Sequence, residues 1–415
     1  MLKKEKMAKK KNKVSAFKLL GFVLFLGFVH NGEASFVDGG GGIGVGISGG
    51  ADGAVWIGGG YPNGVPDSAP KQQNSAYDAL QIWKSAIKED PSGVLKTWVG
   101  PDVCSYRGVF CSGLSVTAID LNRANLRGTI VKELALLSDL TILHLNSNRF
   151  SGQLPDSFRT LDSLQELDLS NNRFSGPFPF VTIYLPNLVY LDLRFNNFTG
   201  PVPEDLFNKR LDAIFLNNNL FDGEIPQNLG NSPASVINLA NNRFSGGIPA
   251  SFGLTGSTLK EILLLNNQLT GCVPESVGLF GEIEVFDVSY NSLMGHVPDT
   301  ISCLSEIEVL NLAHNKFSGE LPDLVCSLRN LMNLTVSFNF FSGFSSDCTK
   351  LFFRDVGFDF AGNCIPGGDM QRPPPDCSAI PGGSLSCLRI PAQQLLCGSI
   401  SVGLKEGNSN YTSSP

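Results

Sequence analysis

The chain has 415 residues, with 31 basic and 38 acidic side chains, a net charge of −7 and 42% hydrophobic residues. That length and apolar content suffice for a large folded body, while the acidic balance argues against a nucleic-acid binder and for basic partners. Ten cysteines, four scattered histidines and the lack of any HExxH, GxSxG or kinase pattern predict no enzyme, no bound metal and no cofactor.

In chain order, residues 1–34 come first. Eight lysines lie between Lys3 and Lys18, followed by an apolar run from Leu19 to Val29 and small residues at Gly32 and Ala34. This is the pattern of a secretory signal cut after Ala34. The run falls short of the roughly twenty residues that a membrane span requires, so no span is expected. Without these residues 23 basic side chains face 36 acidic ones, because the segment itself carries eight lysines and two glutamates. Every cysteine lies at or beyond Cys104, and an even count in an oxidising compartment predicts disulfides. Residues 35–71 read as a glycine-rich linker. Its "GVGISG" (Gly44 to Gly49) formally fits a dinucleotide pattern but has neither the strand before it nor the helix after it, so no nucleotide binding is expected.

Residues 72–117 are expected to cap the repeats after them. Leu80, Trp83 and Ile87 fall on one helical stripe, which Pro91 should end. Cys104 and Cys111 are close enough to pair around a short loop. Residues 118–345 then repeat with a period of 23 to 25 residues: "LHLNSNRFSGQLP", "LDLSNNRFSGPFP", "LDLRFNNFTGPVP", "INLANNRFSGGIP" and their relatives. One asparagine marks the register at Asn148, Asn172, Asn196, Asn219, Asn242, Asn267, Asn291, Asn315 and Asn339, and an earlier copy carries Ala124 there. Alternating leucines before it predict a short parallel strand in each of ten units. A buried asparagine can satisfy backbone groups of its own turn and the next. Two residues on, Phe150, Phe174, Phe198, Phe221, Phe244, Phe317 and Phe341 should stack as a core spine.

Residues 346–397 are expected to form a second cap tied through Cys348, Cys364 and Cys377. Cys303 and Cys326 sit at similar offsets in adjacent repeats and could pair with one another, though spacing leaves connectivity open. Residues 398–415 read as a disordered tail.

The "FSGQLP" type of extension resembles the plant extracellular leucine-rich repeat. "TWVGPDVCSYRGVFC", "LLNNQLTGCVPESVGLF" and "NCIPGGDMQRPPPDC" narrow the likeness to the leucine-rich repeat extensin-like family of plant cell walls, over about residues 72–377. The resemblance implies an α/β repeat solenoid: a horseshoe of about ten repeats, with a parallel β-sheet on its concave face and disulfide-tied caps. The proline run here is only Pro373 to Pro375 and no serine–proline block follows, so the chain resembles a member without the extensin stalk. Members of that family bind small, basic, cysteine-containing rapid alkalinization factor peptides on the repeats, often as dimers. The resemblance therefore implies a secreted wall protein with a basic peptide partner; a membrane receptor and a second copy of the chain are further partners. The alternatives are inhibition of secreted wall hydrolases, as in polygalacturonase-inhibiting proteins, and a structural wall role.

Register places the outward side chains of the strands. Glu166, Asp168 and Asp192 cluster beside Tyr190 and Phe195, with Phe215 in the next repeat and Asp287 and Tyr290 further along. Carboxylates beside exposed aromatics suit a basic peptide. The aromatics and Leu263 are expected to be exposed. Sequons at Asn197, Asn333 and Asn410 are candidate glycan sites, Asn197 the best placed of them.

Overall fold

A computed structural model describes residues 69–253 and 258–378, together with Cys387 and Cys397. The expected signal, all but the end of the linker, the tail and Asn410 lie outside the described residues.

Helix α1 (Ala69–Ala86) packs Leu80 and Trp83 fully out of water against the first repeats. It stops five residues before Pro91, because Ile87–Glu89 turns into a strand paired antiparallel with Arg127–Thr129. Ile87 is therefore a strand residue and leaves the helical stripe expected of it. Gly128 makes this crossing possible: a Cβ there would lie 2.7 Å from the Ala86 carbonyl oxygen and 2.8 Å from the Ile87 Cα. The Cys104–Cys111 disulfide closes the cap as expected.

The repeats build one sheet of twelve strands, running from Val109–Ser112 to Gly357–Asp359. After the antiparallel first pair, every neighbour is parallel. The "FSG" segments form a further layer that the strand reading did not anticipate. These are short strands such as Arg149–Gly152 and Arg173–Gly176, arranged in a seven-stranded and a four-stranded sheet. Between the layers the spine phenylalanines are buried to 1% exposure or less. From Phe150 to Phe244 they stack at centroid spacings of 6.0 to 6.5 Å, and Trp83 extends the column at 5.9 Å. Aromatic faces at that spacing add to the gain from area burial.

The asparagine ladder works as the sequence implied. Asn172 donates through Nδ2 to the carbonyls of Leu145 (2.8 Å), Leu169 (3.1 Å) and Ser170 (3.0 Å), and its Oδ1 accepts from the Phe150 amide at 2.9 Å. Each ladder residue thus reaches back one repeat, which explains Ala124: no repeat precedes it. The ladder continues past Asn339 to Asn363, which donates to Val336 and Phe360 and accepts from Phe341. The repetition therefore extends one strand and one asparagine into the segment expected to be a cap.

All ten cysteines are paired. Cys303 does not meet Cys326; Cys326 bonds Cys348, Cys303 bonds Cys397, and Cys364 bonds Cys377. Cys272, which the sequence left unassigned, bonds Cys387 across 115 residues. Cys387 and Cys397 are thus tied to earlier repeats. Among the described residues no helix is long and apolar enough to cross a membrane.

Candidate functional site

Strand register assembles five of the eight predicted ligand residues. Glu166 pairs with Tyr190, while Asp168, Asp192 and Phe215 stand side by side on three successive strands. Because side chains alternate across a strand, all five face the same side of the long sheet. Phe195 follows in the turn, half-buried, with left-handed backbone at φ 54°. Asp287 lies three strands beyond Phe215, with Tyr290 in the turn after it. Those two do not join the cluster.

The cluster is less open than expected. Asp192 is fully buried. Its Oδ2 accepts from Arg194 Nε at 2.9 Å and from the Tyr190 hydroxyl at 3.4 Å, and its Oδ1 accepts from the Arg194 amide at 3.0 Å. Burial and the neighbouring Asp168 push its carboxyl up to about 8, against the opposing pull of Arg194. Burial likewise raises the Tyr190 phenol, reinforced by Asp192 and Asp168. The Arg194 guanidinium carbon lies 5.1 Å above the Phe215 ring, and the Tyr190 ring lies 5.9 Å from it. Phe215 is consequently 8% exposed, and Leu263 is also buried. Both depart from the expected exposure; over Phe215, a long arginine covers its neighbour's ring and keeps water from it.

What remains open is a half-exposed pair of carboxylates. Glu166 accepts from His144 Nε2 at 2.9 Å with 40% of its side chain exposed. Asp168 accepts from the amide and hydroxyl of Ser170. Burial opposes protonation of His144, but the bond to Glu166 and the fields of Asp168, Glu166 and Asp120 outweigh it and raise its pKa. Asp287 is 2% exposed, held by Ser289 and Asn311, and raised chiefly by burial. It is a structural acid, not a steering charge. Tyr290 keeps 52% of its surface.

His144 and Arg194 were legible as strand-column residues, but their partners were not. A D-x-[SR] spacing, as in Asp168/Ser170, Asp192/Arg194 and Asp287/Ser289, signals a carboxylate turned onto its own turn. Of the sequons, Asn197 is exposed at the start of a second-layer strand. Asn333 is half-buried and accepts from the Thr335 hydroxyl at 2.8 Å.

Family models described as "Leucine rich repeat" match residues 138–198, 235–254 and 306–328, and a "Leucine rich repeat N-terminal domain" matches 73–112. Pollen-specific leucine-rich repeat extensin-like protein 1 of Arabidopsis thaliana is 66% identical over 150 residues, 34% of this chain and 16% of that protein. Leucine-rich repeat extensin-like protein 2 of the same plant is 48% identical over 223 residues, 52% of this chain and 28% of that protein. The chain therefore spans under a third of the length of these relatives. Among solved structures, the Arabidopsis receptor kinase HAESA in complex with the peptide hormone IDA and the co-receptor SERK1 superposes with a TM-score of 0.61 at 29% identity. That match covers 70% of this chain and 50% of HAESA's. Stacked parallel strands, the asparagine ladder and these matches together show a leucine-rich repeat fold whose strong homologues are the Arabidopsis leucine-rich repeat extensin-like proteins.

Proposed function

We propose that this chain is an extracellular wall protein that binds basic, cysteine-containing peptides of the rapid alkalinization factor type on the solvent-facing side of its long sheet. The carrying observation is the half-exposed Glu166 and Asp168 pair, set in register with the half-buried Tyr190 ring. Carboxylates steer a cationic peptide to the face, and a ring held by its neighbours supplies an anchor at little entropic cost. Two further supports come from the likenesses. The relatives are extensin-like by name, and a structure of the same fold carries a peptide hormone. Five disulfides suit an oxidising exterior.

Surface-immobilised kinetics against a panel of rapid alkalinization factor peptides, at two salt concentrations, tests this reading. Binding tighter than about 10 μM that weakens as salt rises is expected. If every peptide in the panel binds more weakly than that, the reading fails.

A further inference from the structure

Each turn leaving the long sheet sets the residue before the ladder asparagine in left-handed backbone, at φ 52° to 58° from Ser147 to Phe338. Asparagine tolerates that conformation and occupies it at Asn171, Asn218, Asn241 and Asn266. Bulky rings do not favour it, and a residue held there against its preference calls for a reason. In three successive repeats the position holds Tyr290, His314 and Phe338.

Their rings form a tighter column than the core spine. Tyr290 and His314 stack at 4.1 Å and 12°, and His314 and Phe338 at 4.4 Å and 16°. Tyr290 is 52% and Phe338 45% exposed. Gly362 takes the same backbone position one repeat on, and a Cβ there would come within 2.8 Å of Phe338 Cδ1. The far face of Phe338 therefore rests on that glycine. Stacking hides both faces of His314 and Phe338 and the inner face of Tyr290, and leaves ring edges along the column in solvent. Such edges carry the positive end of the aromatic quadrupole and suit the face of another aromatic ring; a sugar lying flat along the strip would need the faces that the stacking covers at His314 and Phe338.

The surroundings add charge. Asp359 is exposed and Arg372 also lies near, so the two act on His314 with opposite sign; Arg372 bonds the Asn339 carbonyl and covers the Phe340 ring, which leaves Asp359 as the charge open to a ligand. With the acidic balance of the whole chain, the occupant that fits is cationic. We propose that the Tyr290–His314–Phe338 strip docks an aromatic side chain of a basic peptide. This rests on the proposed peptide-binding function and adds a second contact region, beginning five strands along the sheet from the Glu166–Asp168 pair.

The test uses the full secreted chain, the triple variant Tyr290→Asn/His314→Asn/Phe338→Asn, and two synthetic sixteen-residue arginine-rich peptides. One peptide carries two tyrosines and the other has serines in their place. Asparagine is what other repeats hold here, so the thermal midpoint should stay level or rise. The tyrosine peptide should bind the variant about tenfold more weakly, and the serine peptide should bind both proteins alike. Equal binding of the tyrosine peptide to both proteins overturns the strip and leaves the peptide reading standing. So does an equal loss for both peptides, or a fall of the midpoint by several degrees, which would make the column a brace. If neither peptide binds the unaltered chain, the strip proposal falls, while the peptide-binding reading stands or falls on the rapid alkalinization factor panel.

Discussion

Arg194 holds Asp192 by two routes, its side-chain Nε at 2.9 Å and its backbone amide at 3.0 Å, while its guanidinium covers Phe215. One residue thus closes what two strands would otherwise leave open. It also fixes how the face responds to protons.

Asp192 has a folded pKa raised to about 8, so its contribution to stability is complete below the ordinary carboxylate range. That contribution is lost as pH rises through the folded value. His144 is also raised, so its contribution is present below the ordinary histidine value and lost as pH climbs through the raised one. Both push the same way. The thermal midpoint should be higher at about pH 5 than at about pH 8, and Asp192→Asn should flatten that slope. A midpoint that rises from pH 5 to pH 8 would contradict the assignment.

The binding face divides by role. Glu166→Gln with Asp168→Asn should slow association with a basic peptide and reduce its salt dependence, since these carboxylates are the half-exposed ones. Asn keeps the oxygen that accepts from Ser170. Tyr190→Ala should instead speed dissociation, at a cost of about 2 kcal/mol or more if the ring is a central anchor. Asp192→Asn should leave the association rate alone. Stopped-flow or surface kinetics on the three variants separates these outcomes.

Asn242 donates to Leu216, Leu239 and Ala240 and accepts from Phe221, all within 3.2 Å. Asn242→Ala should leave these buried groups unpaired and lower stability by roughly 1–3 kcal/mol. Ala124→Asn should yield no matching gain, because the first repeat has no forerunner to bond. Denaturant unfolding of both variants checks the asymmetry.

Asn197 is exposed and should carry a glycan when the chain is expressed through the secretory route, whereas half-buried Asn333, bonded to its own sequon threonine, should be bare. Glycopeptide mass spectrometry reads both sites at once.

Much of this was legible in the sequence because the repeat is a strict one. A single asparagine every 23 to 25 residues fixes the strand, the spine and the solvent side. Asn363 keeps that spacing but was hidden among cysteines. What periodicity could not convey is which neighbour covers a side chain. Asp192, Phe215 and Leu263 stand on the predicted side, yet Arg194 and adjoining strands close over the first two, a matter of tertiary packing. The disulfides were harder still. Cys303 and Cys326 sit at similar offsets, but Cys303 bonds Cys397 and Cys272 bonds Cys387, partners that no local spacing announces. The strand at Ile87 won over a longer helix because a bare Gly128 waited to receive it.

The Cys272–Cys387 bond has a further consequence when the molecule is pulled by its ends. Tension arriving at Cys272 passes straight to Cys387, and the 115-residue stretch between them carries no load while that bond is intact. At about 3.5 Å per extended residue, roughly 400 Å of chain is withheld from stretching. The repeats before Cys272, joined by ladder bonds and packing, are the extensible part; because Cys303–Cys397 spans 94 residues of the same stretch, cutting Cys272–Cys387 alone would release only the part before Cys303.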